Sequence, residues 1–519
     1  MNMNLVSLLV CMSVSTVSQQ ATTNSNNVDI ESKISTTEVL VVLSTEESLK
    51  WKEYSVEDFE DVDCIAVEDL TSAYKNKTTL KNDFKRILKI SFEEKSVNEV
   101  YNIIDTLNET YDEIEYAGPN YQLEVDLDEE LNNNSKSVNS VDYNWGLGHI
   151  GVHDAYSLID AYDIYPKNIN VGVVEEGIDG THQDLINNIN TSLSISFVEE
   201  LNPYDDINES NPFEDPTSQS YSHGTFVAGI IAASINEEEG TEGVCHNAQI
   251  VSYKYYVNMP IYNDNNYEDI ILSFNQATQD NIRIMNCSWG DSDYDIALKT
   301  SMNNYEGLII CAAGNDYYDI DEIPLYPAAF DLDNIITVGA IDIGNTIWYG
   351  YYDDVLRGSN YGVENVDVFA PGHQIKSTTK NNSYAIKSGT SYAVPFVSGL
   401  AAILLSIEEE TDDGVLTTAE LKELIMDSVD EISSLSDKCV TGGVVNAFSA
   451  VAMALDYQLT YSYRYYDEVY HEVIPEYGTS YLEEHFYIPV FAGGVVSSYA
   501  LPRASYFRCN KCGAQKLSL

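Results

Sequence analysis

Four positions in this chain carry side chains whose types and surroundings suit acyl transfer. Ser391 ends Ser388-Gly389-Thr390-Ser391, directly ahead of an apolar run with helical spacing. A serine there has free backbone N–H groups and the positive end of a helix dipole beside it, which suits an oxyanion. Pro395 is tolerated because it falls in the first turn. His223 opens HGTFVAG at the head of a second helix, one of small residues. Glu175 closes the strand-like INVGVVE at its carboxyl edge, where open α/β sheets place their sites. Asn315 follows the strand-like LIICAA in the same way. Singly, these are ordinary: such a Ser is an N-cap, such a His structural, such an Asn a turn residue. On one sheet edge they make an orienting acid, a general base, an oxyanion donor and a nucleophile.

Positioning them requires strands and helices in alternation, and from Trp145 onward the pattern supplies it. Strands are predicted at 169–174, 283–287, 308–313, 335–338 and 366–370. Helices are predicted at 224–234, at 267–279, in a run ending near Ile407, and at 418–429, where Thr417 and Glu420 form a capping box. Continuous apolar strands separated by helices mean an α/β fold, a mainly parallel doubly wound sheet covered on both faces. Ahead of it lies a small α+β unit. Its strands are predicted at 38–43 and 87–92, and an amphipathic helix at 95–107 carries Val97, Val100, Ile103, Ile104 and Leu107 on one face. Residues 127–140, acidic and rich in Asn and Ser, read as an exposed, cleavable linker, and Tyr-rich 456–519 as a separate extension of unknown role.

Composition narrows the choice of function. The chain has 519 residues and 83 Asp+Glu against 26 Lys+Arg, a formal net charge of −57. That field repels phosphate backbones and anionic lipid, so nucleic-acid binding is a poor reading. Residues 5–17 are apolar but too short to span a membrane, and 1–20 read as a signal peptide. No later run is long enough for a transmembrane helix. The expected location is secreted or cell-surface associated.

The motifs together resemble the subtilisin-like serine proteases, the subtilases. HGTFVAGIIAA resembles the His motif, with Phe226 where a second His is usual, and SGTSYAVPFVSG the Ser motif. GLIICAAGND resembles the oxyanion strand and NCSWG the strand that pairs with substrate; VDVFAPG and GGVVNAFSAV match late landmarks. EIEYAGPNY followed by WGL resembles the junction between an inhibitory propeptide and the catalytic domain. The resemblance covers about residues 38–455. It implies a propeptide over 37–126 acting as an intramolecular inhibitor, and a catalytic domain over 141–455. The implied product is a self-processing serine endopeptidase acting on proteins or peptides through an acyl-enzyme. Ser391 would be the nucleophile, His223 the base and Asn315 the oxyanion donor. Ser288, Trp289, Gly290, Ala313 and Gly314 would line the substrate site. No cofactor is required for the chemistry.

One departure bears on activity. The family reads V-I-D-T/S-G-I-D where this chain has Val173-Val174-Glu175-Glu176-Gly177-Ile178-Asp179. Glu175 keeps the charge but adds a methylene, about 1.5 Å of reach. Three readings stand: Glu175 orients His223, the chain is an impaired protease that binds peptides, or Asp179 substitutes. The resemblance also suggests a structural calcium at Asp184, with the loop from Asn236 to Glu242 offering oxygens; a solvated acidic loop is the alternative. Leu325 falls near the floor of the family's primary specificity pocket, which favours apolar side chains, whereas Asp316, Asp319, Asp321 and Glu322 nearby favour basic ones. Cys509 and Cys512 form half of a zinc knuckle, or a disulfide, or a redox pair. Cys287 and Cys311 read as small core residues in neighbouring strands.

Overall fold

The computed structural model describes residues 34–121, 144–197, 222–235, 240–255, 267–352, 355–408, 415–455, 505–508 and 515–518. The first stretch is an antiparallel sheet of β1 (Ile34–Leu43), β2 (Cys64–Asp69), β3 (Ile87–Phe92) and β4 (Ile114–Tyr121), in the order β2-β3-β1-β4. Helix α1 (Val97–Thr110) covers one face and buries Val100, Ile103, Ile104 and Leu107. Ser96 and Glu99 cap its start reciprocally: the Ser96 N–H and Oγ–H donate to Glu99 Oε2 at 2.9 and 2.6 Å. The sequence places the α1 start two residues early, because Lys95 and Ser96 belong to this cap. It does not reveal β2, whose outer positions are exposed.

The second body is a nine-stranded sheet. Its strands include β5 (Ile169–Glu175), the short edge strand β6 (Ile195–Ser196), β7 (Ala248–Lys254), β8 (Ile284–Cys287), β9 (Leu308–Ala312) and β10 (Ile335–Ile341). Beyond them, β11 (Tyr349–Tyr352) pairs with β12 (Val355–Gly358), while β13 (Val368–Pro371) returns to the main sheet. β14 (Ile375–Thr379) and β15 (Ser383–Lys387) form a hairpin, and β16 (Asp430–Glu431) and β17 (Gly443–Val444) complete the sheet edge. Neighbours run β16-β17-β13-β10-β9-β8-β5-β7-β6, parallel throughout except for β16 against β17. A parallel sheet is dry on both faces, and every residue of β8, β9 and β10 is buried. Cys287 and Cys311 face each other in register and are buried, free thiols.

Two helices cross the middle of this sheet. α2 (His223–Ala232) and α3 (Val394–Ser406) are buried along their whole length, so neither carries a polar face. Pro395 sits in the first turn of α3. α4 (Tyr267–Gln279) and α5 (Ile296–Asn304) present their outer surface to the N-terminal sheet. There Asn120 Nδ2 donates to Glu268 at 3.1 Å, the Thr278 hydroxyl bonds to the Tyr74 hydroxyl at 2.9 Å, and Asn304 and Lys85 exchange bonds of 3.2 and 2.7 Å. Lys89 pairs with Glu268 and lies 3.1 Å from Glu68. Burial pushes the Glu268 carboxyl up to about 7 despite Lys89.

Removing that cation leaves Glu268 buried beside Glu38 with the Asn120 amide but no positive charge, and breaking buried ion pairs of this kind costs about 3–5 kcal/mol. Lys89→Ala in a Ser391→Ala background is therefore expected to lower the thermal midpoint of the full chain, read by calorimetry. An unchanged midpoint would mean the pair contributes nothing to holding the two bodies together.

The predicted 127–140 linker and 1–20 signal segment lie outside the described residues. So does most of 456–519, apart from the antiparallel strands β18 (Ser505–Arg508) and β19 (Gln515–Ser518); Cys509 and Cys512 fall between them, also outside.

Candidate active site

The carboxyl ends of β5, β8 and β9 and the N-terminal ends of α2 and α3 converge. Glu175, last residue of β5 and 1% exposed, sets Oε2 2.9 Å from His223 Nδ1. His223 is the first residue of α2. Gly224 makes that approach feasible: a Cβ there would lie 2.2 Å from the Gly177 carbonyl oxygen and 3.0 Å from Glu175 Cβ. Asp179 points elsewhere. Its Oδ1 takes the N–H and hydroxyl of Thr181 at 2.9 and 2.7 Å, and its Oδ2 takes Asn381 N–H at 2.9 Å. Of the two acids the sequence leaves open, Glu175 is the one in contact with the imidazole.

Ser391 lies in the short turn Thr390–Tyr392 that leads into α3, and the Tyr392 ring sits 5.5 Å from the His223 ring. Its hydroxyl donates to the Ser288 carbonyl at 3.0 Å, while Ser288 Oγ–H donates to the Ser391 carbonyl at 2.9 Å. Behind them Asn286 Nδ2 donates to Ser288 Oγ, and Ser398 Oγ–H to Asn286 Oδ1, both at 2.9 Å. This buried polar chain ties the nucleophile's turn to the end of β8. Asn315 is held by its oxygen: Oδ1 accepts the N–H and hydroxyl of Thr390 at 2.9 and 3.0 Å. Fixing the oxygen fixes which way the amide NH₂ faces. The Thr390 hydroxyl also accepts Gly314 N–H at 3.1 Å, so one side chain joins the oxyanion strand to the nucleophile's turn.

Beside Ser391, Gly290 and Gly314 flank Leu325. Cβ atoms on these glycines would lie 2.9 and 2.7 Å from Leu325 Cδ2, and Gly314 also holds φ +99°. The Leu325 tip thus fills the space between the two segments. Asn360 Nδ2 donates to the Ala313 carbonyl at 2.9 Å. Trp289 is buried, 5.8 Å ring to ring from Tyr255. Of the four acidic residues nearby, Glu322 is exposed and the other three are engaged within the fold. Asp316 pairs with Arg357 at 2.5 Å, Asp321 accepts from the backbone of Glu364 and Asn365, and Asp319 from that of Asp321.

Asp184 is buried and its Oδ2 accepts the Tyr384 hydroxyl at 2.5 Å. Its suggested partner Asn236 lies outside the described residues, and among those described no three His, Cys, Asp or Glu gather as a metal site. Sequence reasoning passed over Thr390, Asn286, Ser398 and Asn360, although Asn286, Thr390 and Ser398 stand inside motifs it singled out. Their roles depend on side-chain direction, which the spacing does not encode.

An acid, an imidazole, a serine at a turn into a helix and an anchored amide on one edge of a parallel sheet are the parts that a serine-nucleophile acyl-transfer site requires. The sequence profile of the subtilase family matches residues 166–450, and the chain belongs to that family of subtilisin-like serine endopeptidases. Subtilisin-like protease 2 of Plasmodium falciparum (isolate 3D7) is 31% identical over 322 residues, covering 60% of this chain and 22% of that protein. Thermophilic serine proteinase of Bacillus sp. (strain AK1) is 30% identical, covering 65% of this chain and 73% of its own. The major intracellular serine protease of Bacillus subtilis (strain 168) is 33% identical, covering 49% and 74%. The chain spans less than a quarter of the length of the first of these relatives. Among the described residues no helix is long and apolar enough to cross a membrane.

Proposed function

We propose that the chain is a working serine endopeptidase in which Glu175 replaces the usual triad aspartate, made as a secreted zymogen. The contact of 2.9 Å between Glu175 Oε2 and His223 Nδ1 carries this reading, because the longer acid reaches the imidazole at hydrogen-bond distance. In the reaction the Ser391 hydroxyl turns from the Ser288 carbonyl to His223 Nε2 and attacks the scissile carbonyl carbon. His223 takes the hydroxyl proton and passes it to the leaving amine, and the C–N bond breaks to leave an acyl-Ser391 ester. Water then attacks the ester with His223 again as base, the bond from the acyl carbon to Ser391 Oγ breaks, and His223 returns the proton to Oγ as the acid leaves. Asn315 Nδ2–H and the Ser391 N–H stabilise the oxyanion of each tetrahedral intermediate. Glu175 holds the imidazole in the tautomer with Nδ1–H and stabilises the imidazolium.

The N-terminal sheet unit supports the zymogen part. It docks on α4 and α5 and its last described residue, Tyr121, packs on Tyr267 with rings 6.0 Å apart. The segment from Tyr121 to Asn144 is the expected site of self-cleavage. A peptide-library digest by the full chain tests the function: cleavage that disappears in Ser391→Ala supports it, and digestion by both proteins alike overturns it.

Leu325 sets the expected substrate preference. Its tip closes the space between Gly290 and Gly314, which favours small side chains before the scissile bond. Leu325→Ala opens that space, and the ratio of kcat/KM for Phe over Ala at this position should rise about tenfold or more. A ratio that does not move would place the pocket elsewhere.

A further inference from the structure

Orienting one imidazole needs one carboxylate, yet this site buries two. Glu176 follows Glu175, is 4% exposed, and its Oε1 accepts the backbone N–H of His223 at 2.6 Å. Glu176 Oε2 and Glu175 Oε1 are both buried, and neither makes a hydrogen bond among the described residues. We propose that Glu176 is a positioning residue for His223: one acid of the pair holds the ring, the other the backbone that carries it. The inference rests on the serine-endopeptidase reading of the site.

Two features show why that backbone needs holding. His223 is the first residue of α2, so its N–H has no acceptor within the helix. Ser222, just before it, sits at φ +56°, a left-handed conformation that a side chain disfavours, so the chain enters the helix against its own preference. A bond to a carboxyl oxygen offsets both. The close packing of Gly224 on Gly177 and Glu175 then leaves little slack between strand end and helix start. With the backbone fixed at that height, the longer Glu175 arm meets Nδ1 at 2.9 Å.

Burial pushes the Glu176 carboxyl above its ordinary range, against the pull of His223 and of Lys387, which is itself buried with Nζ 5.4 Å from the Phe226 ring centroid. The bond to His223 requires an acceptor oxygen and not a full charge. Gln therefore meets the requirement, and an apolar side chain of similar length does not.

The test measures kcat and KM on a peptide substrate, together with the downfield proton resonance of the His223 imidazole, in the full chain. Glu176→Met should lower kcat by about 10²-fold, the scale of a small misplacement of a reacting group, with KM changed less than about twofold, and should shift or broaden the resonance. Glu176→Gln should restore both. If Glu176→Met does not fold, Glu176→Ala is read in the same way. A wild-type kcat and resonance in the apolar variants overturns the proposal, as does Gln failing to rescue either. If wild type shows no turnover but the resonance still responds to Met and recovers with Gln, the positioning role stands and the endopeptidase reading falls.

Discussion

Ser391→Ala is expected to lower kcat by about 10⁶-fold, the loss seen when the nucleophile of such a triad is removed. The remaining rate would come from substrate binding and from the oxyanion donors, which the substitution leaves in place. Asn315 stays anchored through Thr390, and the Ser391 N–H is a backbone group. The fold should persist. Among the described residues the serine hydroxyl bonds to the Ser288 carbonyl, and the reciprocal bond from Ser288 Oγ–H uses the Ser391 carbonyl, which alanine keeps. The same variant should remain uncleaved between Tyr121 and Asn144, read by intact mass, whereas the wild-type chain should lose its N-terminal unit. Equal processing of both proteins in a protease-free preparation would show that another enzyme makes the cut.

Glu175→Gln should cost about 10⁴-fold in kcat with the fold intact. An amide in that position favours the wrong imidazole tautomer and offers no charge to the imidazolium. Glu175→Asp separates an adapted site from a decayed one. The 2.9 Å contact is made by the longer side chain, so the shorter acid falls short by about one methylene and should lose about 10²-fold. A gain of activity in Glu175→Asp would instead mark the glutamate as damage. Asp179→Asn is the control. Asp179 serves Thr181 and the backbone of Asn381, so its loss should alter stability more than kcat.

The placement of Glu175, His223, Ser391 and Asn315 on one sheet edge was legible because each stands at an element boundary that the sequence marks. Glu175 follows a continuous apolar strand, His223 and Ser391 precede helices of small and apolar residues, and Asn315 follows Ala312-Ala313-Gly314. Tyr267–Gln279 was legible to the residue, because its apolar positions recur at helical spacing between polar flanks. The helix Ile296–Asn304 was not. Its inward positions include Ser301 and Asn304, polar residues that the pattern assigns to solvent and that packing buries. β7 was passed over for a related reason, since AQIVSYK buries a serine and a lysine at its carboxyl end. In the site, Thr390 and Glu176 read as neighbours of functional residues and nothing more. Their contribution is a direction, oxygen toward Asn315 and carboxyl toward His223 N–H, that appears only once strand and helix meet. The partners of the acidic group at 316–322 were not legible either. Charge alone does not show that Asp316 pairs with Arg357 or that Asp319 and Asp321 accept backbone N–H groups.

Reaction of the full chain with an organophosphonate that mimics the tetrahedral intermediate is the most direct test that Ser391, His223 and Glu175 act as one machine. The reagent forms a bond only to a hydroxyl that a neighbouring base deprotonates, and it needs no knowledge of the substrate. Intact mass and peptide mapping should show one adduct per wild-type chain, located on Ser391, absent in Ser391→Ala and slowed by orders of magnitude in His223→Ala and Glu175→Gln. A folded wild-type chain that takes no adduct, or one labelled equally fast without His223, would contradict a working triad built on Glu175.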